Sequence, residues 1–309
     1  MKSKIFFLTI FFFLFFFTPA SHSTIVNLYD QDGFKYDVDT QIGAVLYGTG
    51  WEAYDTNYFL YVNGQTYNPS GSYTLADGGR SVILPTISMS IWNLNVYREI
   101  FVPSSGGNFA RFLNVFTNPN QYAVTLNNIT LGGNLGSDNQ TIVTGSSDGD
   151  NLAEPTDNWF TTDDNNNGAG DASLGNVLQG NGASETVDSI TQSYTGTTYY
   201  FSGGGPAHFP AEGAIRADNF FYSFNNVTIG PNATVSIMIF GIQDSNNTNA
   251  LSEAIFLSTL PQVALTGLTE TEKSQIINFN VPPVPEPSTF LLLGLALLGF
   301  FLFFRPALK

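Results

Sequence analysis

The sequence predicts an all-β body, a large β-sandwich or an extended double sheet, closed by two short C-terminal helices. Three observations predict it. The chain holds 28 Phe, 14 Tyr and 30 Gly. Aromatic side chains suit a pleated, half-buried surface, and glycine with asparagine suits the turns between strands. Short stretches of alternating apolar and polar residues recur along the chain, separated by Asn-, Gly- and Ser-rich turns. Near residue 249 the apolar period lengthens to that of a helix.

The elements follow in order. Tyr58–Tyr67 reads YFLYVNGQTY, and Asn63-Gly64 between β-rich runs is a strong short hairpin signal. Ile91–Pro103 alternates over many positions. Phe109–Pro119 and Tyr122–Asn134 read as the next two strands. The series continues through TIVTGSS, NWFTTDD, TYYFS, FFYSFNNVTIG and TVSIMIFGIQD. Many short strands at this spacing favour two packed antiparallel sheets. From Asn249 to Pro261 apolar residues fall at 251, 254, 255 and 257, and Pro261 stops the helix. Thr269 and Glu272 have the spacing of a capping box and open a second helix. The apolar faces of both helices are expected at one end of the sandwich.

The body, residues 24–280, is long enough to bury its own core as one domain. Outside the two ends it carries six basic against 24 acidic residues, a net −18. That sign repels phosphate backbones, so nucleic acid is not an expected partner. Cysteine is absent, which removes disulfides, thiol nucleophiles and zinc–thiolate sites. The two histidines, His22 and His208, are too few for a histidine metal site.

Both ends carry targeting features. Residues 1–23 have a basic start (Lys2, Lys4), an apolar run from Ile5 to Phe17 and small residues after it, the pattern of a secretory signal peptide. At the other end, residues 281–309 comprise a proline-rich linker, an apolar helix at about 289–304 and the basic residues Arg305 and Lys309. The helix is short for a permanent span. The basic residues behind it hold the tail on the cytoplasmic side. Pro285 and Pro287 fix φ and force an extended segment that a helix cannot absorb.

Val284-Pro285-Glu286-Pro287, followed by an apolar helix and a basic end, resembles the PEP-CTERM sorting signal of Gram-negative bacteria. The resemblance implies recognition by exosortase, a membrane protease-transpeptidase. It implies export by the secretion machinery, a transient membrane tether, then the cell surface or extracellular matrix. The basic tail is sparser than the family's, since Pro306 follows Arg305. The body stretch containing Arg98, Val102-Pro103, Phe109-Ala110-Arg111-Phe112, Asn118-Pro119, Gly133 to Asp138, Trp159 and Asp163-Asp164 is similar to an uncharacterised domain of exported bacterial proteins. That similarity implies an extracellular module and no particular activity.

Several constellations could carry chemistry. Asp163-x-Asn165-x-Asn167-Gly168 has the alternate oxygen ligands and the turn glycine of a calcium loop, with Asp171 as a further ligand. Leu174 stands where an EF-hand has its bidentate glutamate, so the alternatives are another calcium-stabilised loop or a polar turn. Asp138, Asp148, Asp150, Glu154, Asp163 and Asp164 crowd one region, but a glycosidase pair needs two of them across a cleft. No Gly-x-Ser-x-Gly elbow accompanies His208, and Ser202–Pro206 lacks the lysine of a phosphate-binding loop. Trp51, Tyr54, Tyr58, Trp92 and Trp159 are either sugar-stacking residues or core. Five Asn-x-Ser/Thr sequons read as composition in a bacterial chain. The expectation is a non-enzymatic surface or matrix protein; the alternative is a carbohydrate-binding module for exopolysaccharide with structural calcium, or a polysaccharide-active enzyme.

Overall fold

The structure, a computed structural model, describes residues 24–51, 53–136, 141–164, 171–193 and 219–282. The expected signal peptide at 1–23, the tail from residue 283 with Val284–Pro287, Arg305 and Lys309, the candidate calcium ligands Asn165 and Asn167, His208 and the TYYFS segment lie outside these residues.

The first strands are β1 (Ile25–Tyr29), β2 (Lys35–Asp39) and β3 (Ala44–Val45), which form a small sheet of their own. Then come β4 (Phe59–Val62), β5 (Gln65–Thr66), β6 (Thr74–Ala76), β7 (Ser81–Ile83) and β8 (Ile87–Ser88). The strands β9 (Asn95–Phe101), β10 (Phe109–Thr117) and β11 (Val124–Asn134) run longer. They are followed by β12 (Ile142–Ser146), β13 (Trp159–Asp163), β14 (Ser173–Val177) and β15 (Ser189–Ser193). The chain then forms β16 (Asn219–Ile229), β17 (Thr234–Asp244), α1 (Asn247–Ser258) and α2 (Glu270–Gln275).

Two sheets make the sandwich. A nine-stranded sheet has the order β12-β13-β14-β17-β10-β9-β7-β6, with β8 beside β9. A five-stranded sheet has the order β15-β16-β11-β4-β5. The β4–β5 hairpin turns at Asn63 and Gly64, both at positive φ (48° and 78°), as a two-residue hairpin requires. Some connections stay within the nine-stranded sheet, as from β6 to β7, β9 to β10 and β12 through β14, and others cross between the sheets. β10 and β11 belong to different sheets, and so do β16 and β17. Instead β10 pairs with β17, from Phe109↔Ile242 to Thr117↔Thr234, and β11 pairs with β16. Buried Asn118 stitches the two crossovers: its amide donates to the carbonyls of Tyr122, Ile229 and Gly230.

Alternation along β9, β10 and β17 sorts side chains onto two faces. Val96, Ile100, Phe112, Phe116, Ile237 and Ile239 enter the core shared with Leu131, Phe220, Tyr222 and Phe224 of the other sheet. Phe101, Phe109, Leu113, Met238 and Phe240 face outward into a second core with Ala250, Ala254, Leu257 and Phe279. The helices therefore differ from their expected place. They do not close one end of the sandwich; α1 lies on β13, β14 and β17, and α2 contacts β17. The outward row of β10 and β17 is as apolar as the inward row, and only a third layer can bury it.

Both helix starts are capped, and that of α2 lies where the sequence placed it. Asn246 accepts a hydrogen bond from the backbone of Asn249 at the head of α1. Thr269 and Glu272 form the capping box of α2. Beyond α2 the chain stays packed: buried Asn278 donates to the carbonyls of Leu178 and Met238 and accepts from Met238 N.

Candidate functional site

Three places could carry function, and they lie on different parts of the sandwich. The first is the loop between β12 and β13. Ser146 Oγ donates to Asp148 Oδ1 (2.9 Å) and Asp150 Oδ1 (3.1 Å). Buried Asp157 accepts from Ser147 and Asp148 with one oxygen and from Glu154 N with the other, which winds the loop inward. The result brings one carboxylate oxygen each from Asp148, Asp150 and Glu154 within 4.8 Å of one another. Donation from the Asp150 backbone, then from Ser146, holds the Asp148 carboxyl below its usual range. Three convergent carboxylate oxygens are what a hard divalent cation requires. Among the described residues this is the one group of acids so arranged.

The second place is the predicted calcium loop. Asp163 ends β13 and Asp171 precedes β14, and with Asp164 they line one small cavity of about 10 Å³ at the base of that hairpin. That is room for about one water. Asp163 is buried and accepts a hydrogen bond from Ser173 Oγ. Asp138 lies outside the described residues.

The third place was not singled out from the sequence. On the outward face of the nine-stranded sheet the helical layer ends at α2. Beyond it the face of β9 and β7 is open, and a groove of about 390 Å³ runs there. Tyr97 and Glu99 of β9 and Ile83 of β7 line it on the sheet side, Glu272 comes from α2, and Tyr73 precedes β6. Tyr97 OH reaches Glu272 Oε1 at 3.4 Å. Burial pushes the Tyr97 hydroxyl up to about 12, with the Glu272 and Glu99 charges adding to it. Glu99 is buried against Arg111 at 2.6 Å and accepts from Ser81 Oγ at 3.2 Å. Burial raises the Glu99 carboxyl and lowers the Arg111 guanidinium, while their attraction opposes both shifts. No sequence signal marks this groove, because its parts lie about 200 residues apart and meet only through the sheet.

The aromatic candidates divide clearly. Tyr54, Tyr58 and Trp159 are buried, and Trp92 is exposed. Tyr58 OH bonds to Asn176 Oδ1 (3.1 Å), and Gly241 lies so close beneath that hydroxyl that a side chain there would strike it. These tyrosines are core.

Residues 283–305 match the PEP-CTERM protein-sorting motif. The chain thus carries the sorting signal that its Pro-Glu-Pro sequence suggested. The motif implies export, a membrane-anchored intermediate and exosortase processing. No helix among the described residues is long and apolar enough to cross a membrane. No curated protein matches the chain. Among solved structures, the chain is similar to a TPR-domain-containing protein from Parabacteroides distasonis, with 11% identity and a TM-score of 0.42 over 74% of this chain and 48% of that one. It is similar to a polysaccharide lyase with 10% identity and a TM-score of 0.36, over 74% of this chain and 31% of the lyase. A galactose mutarotase related enzyme from Lactobacillus acidophilus matches with 8% identity and a TM-score of 0.35, over 73% of this chain and 99% of that one. The chain thus spans about half the TPR-domain protein and about a third of the lyase. At these scores the likenesses fix neither the topology nor the chemistry of this chain.

Proposed function

We propose that this chain is a non-enzymatic surface or matrix protein, delivered by export and released from its membrane tether by exosortase. The observation that carries the reading is the sorting motif at residues 283–305. The body suits that role: two cores share one nine-stranded sheet, so no disulfide is needed outside the cell. The test is the double substitution Pro285→Ala with Glu286→Ala in a host that has exosortase. The variant is expected to accumulate in the membrane fraction at the unprocessed mass. Normal release at the processed mass would refute the sorting step.

A second reading is a carbohydrate-binding module for exopolysaccharide with structural calcium. The observation favouring the metal is the Asp148, Asp150 and Glu154 trio. In this reading the cation ties the β12–β13 loop, and the Asp163 loop is a polar turn. Calcium is expected to raise the melting temperature of the protein, and Asp148→Asn with Asp150→Asn to abolish the rise. A rise that survives this double substitution but disappears with Asp163→Asn would return the site to the β13–β14 hairpin.

A further inference from the structure

The groove beside α2 has the shape and chemistry of a ligand site. Its volume, about 390 Å³, falls within the range of small-molecule pockets. Its lining includes no lysine, arginine or histidine. It presents instead the carboxylates of Glu99 and Glu272, the hydroxyls of Thr74 and Thr86, and two tyrosine rings, of which Tyr73 is 38% exposed.

The groups on offer select the ligand. Carboxylate oxygens accept hydrogen bonds, so the partner must bring donors. With no cation in the lining, phosphates, sulfates and uronic acids gain nothing there and meet Glu272, while Glu99 is already paired with Arg111. A tyrosine ring offers an apolar face with a polar tip, which suits a molecule having C–H bonds on one face and hydroxyls at its edge. A neutral sugar ring has both. The site is also preorganised. Glu272 is held by the capping box through Oε2, which leaves Oε1 turned toward Tyr97. Glu99 is held from below by Arg111, which itself donates to the carbonyls of Ala264 and Thr266 in the helical layer. Side chains fixed before binding lose little entropy on it.

We propose that this groove binds a neutral, hydroxyl-rich polysaccharide segment, with Tyr73 as the stacking residue and Glu272 as the hydrogen-bond acceptor. The proposal rests on the carbohydrate-binding reading and gives it a site. It requires no calcium, since the acid trio of the β12–β13 loop is not among the groove's lining residues.

The test is equilibrium binding of the full chain, purified in a detergent without a sugar headgroup, to neutral glucans, mannans and galactans and to uronic-acid polymers. Binding to at least one neutral polymer is expected, with Tyr73→Ala weakening it about tenfold or more, equivalent to about 1.4 kcal/mol. Glu272→Gln is expected to weaken it less, because glutamine preserves the cap but is a poorer acceptor. Trp92→Ala, an exposed aromatic outside the groove, is expected to leave binding unchanged. Melting temperatures near that of the parent show that the variants fold. Binding of uronic-acid polymers alone, or neutral binding lost with Trp92 and not with Tyr73, overturns the groove while leaving carbohydrate binding intact. No binding to any polysaccharide overturns both. Capture of an extended peptide along the β6 edge, blocked by Tyr73→Ala, assigns the groove to a protein partner and overturns the proposal.

Discussion

The two faces of the nine-stranded sheet each bury an arginine, and they do so in different ways. Arg98 of β9 points inward between the sheets, and Arg111 of β10 points outward beneath the helices. Both are fully buried. Arg111 has Glu99 at 2.6 Å and packs over the Phe101 ring. Arg98 has no carboxylate in salt-bridge reach among the described residues. It donates instead to Asn114 Oδ1 at 2.7 Å and to the carbonyls of Gly43 and Tyr58. Burial lowers its guanidinium to about 10, which still leaves it charged at neutral pH. The inner face thus solvates a charge with carbonyl dipoles, and the outer face neutralises one with a counter-ion. Arg98 joins three parts of the fold: Gly43 just before β3, Tyr58 just before β4, and β10 through Asn114.

That difference can be broken by substitution. The largest effect is expected at Arg98→Ala, which leaves a cavity and strips buried acceptors of their donor. A loss of about 4 kcal/mol or failure to fold is expected in denaturant unfolding. A loss under about 1 kcal/mol would mean that the inner charge is incidental. On the outer face, Glu99→Gln is expected to cost about 3 kcal/mol by leaving Arg111 buried without its counter-ion. Replacing both partners, Glu99→Leu with Arg111→Met, is expected to cost less than that single change, since two apolar side chains need no solvation. A double variant as unstable as the sum of its singles would show two independent roles.

The outer layer is also expected to be the more sensitive to pH. Where α1 meets the β1–β2 turn, Asn108 gathers acids: its amide donates to Asp32 Oδ2 (2.8 Å) and Asp244 Oδ2 (3.3 Å), and its backbone donates to Glu253 Oε1 (3.3 Å). Burial raises Asp30 to about 7, with Asp32 adding to it. Burial likewise raises Glu253 to about 7, with Asp244 and Asp32 adding to it. A carboxyl raised in the folded state favours the protonated form, so stability is full below the unfolded pKa. It falls as pH rises through about 7. Asp30 is buried and Glu253 is partly exposed, and with solvent screening at Glu253 the effect is expected to be about 1–2 kcal/mol between pH 5 and pH 8. Glu253→Gln is expected to flatten the profile measured by thermal melting. The smallest effect is expected from Asn246→Ala, about 1 kcal/mol through loss of the α1 cap.

The features legible in the sequence were those set by neighbours along the chain. Asn63-Gly64 specified a hairpin because few residue pairs tolerate two positive φ values in succession. Thr269 and Glu272 specified a helix start because each side chain reaches the other's backbone. Val284-Pro285-Glu286-Pro287 marked the sorting signal through its resemblance to a known motif. The acid-rich loop region was visible, but not which acids meet. Asp148, Asp150 and Glu154 converge because Asp157 pulls the loop inward, and no spacing rule encodes that pull. Tyr54 and Tyr58 could not be told from sugar-stacking residues until Asn176 and Gly241 were seen beside Tyr58.

The sequence by itself determined the all-β class, the cap of α2, the charge and the C-terminal sorting motif, because each depends on composition or on residues a few positions apart. Tertiary structure decided which strands are partners. Residues 219–229 and 234–244 are consecutive strands with a short connection, yet they lie in different sheets and pair with β11 and β10. It decided that α1 and α2 cover a sheet face, because only the assembled sheet shows that both its faces are apolar. It also decided where the groove lies, since that is the part of the face the helices do not reach. These outcomes depend on register, and a one-residue slip of β9 would move Arg98 to the outer face and Glu99 to the inner one.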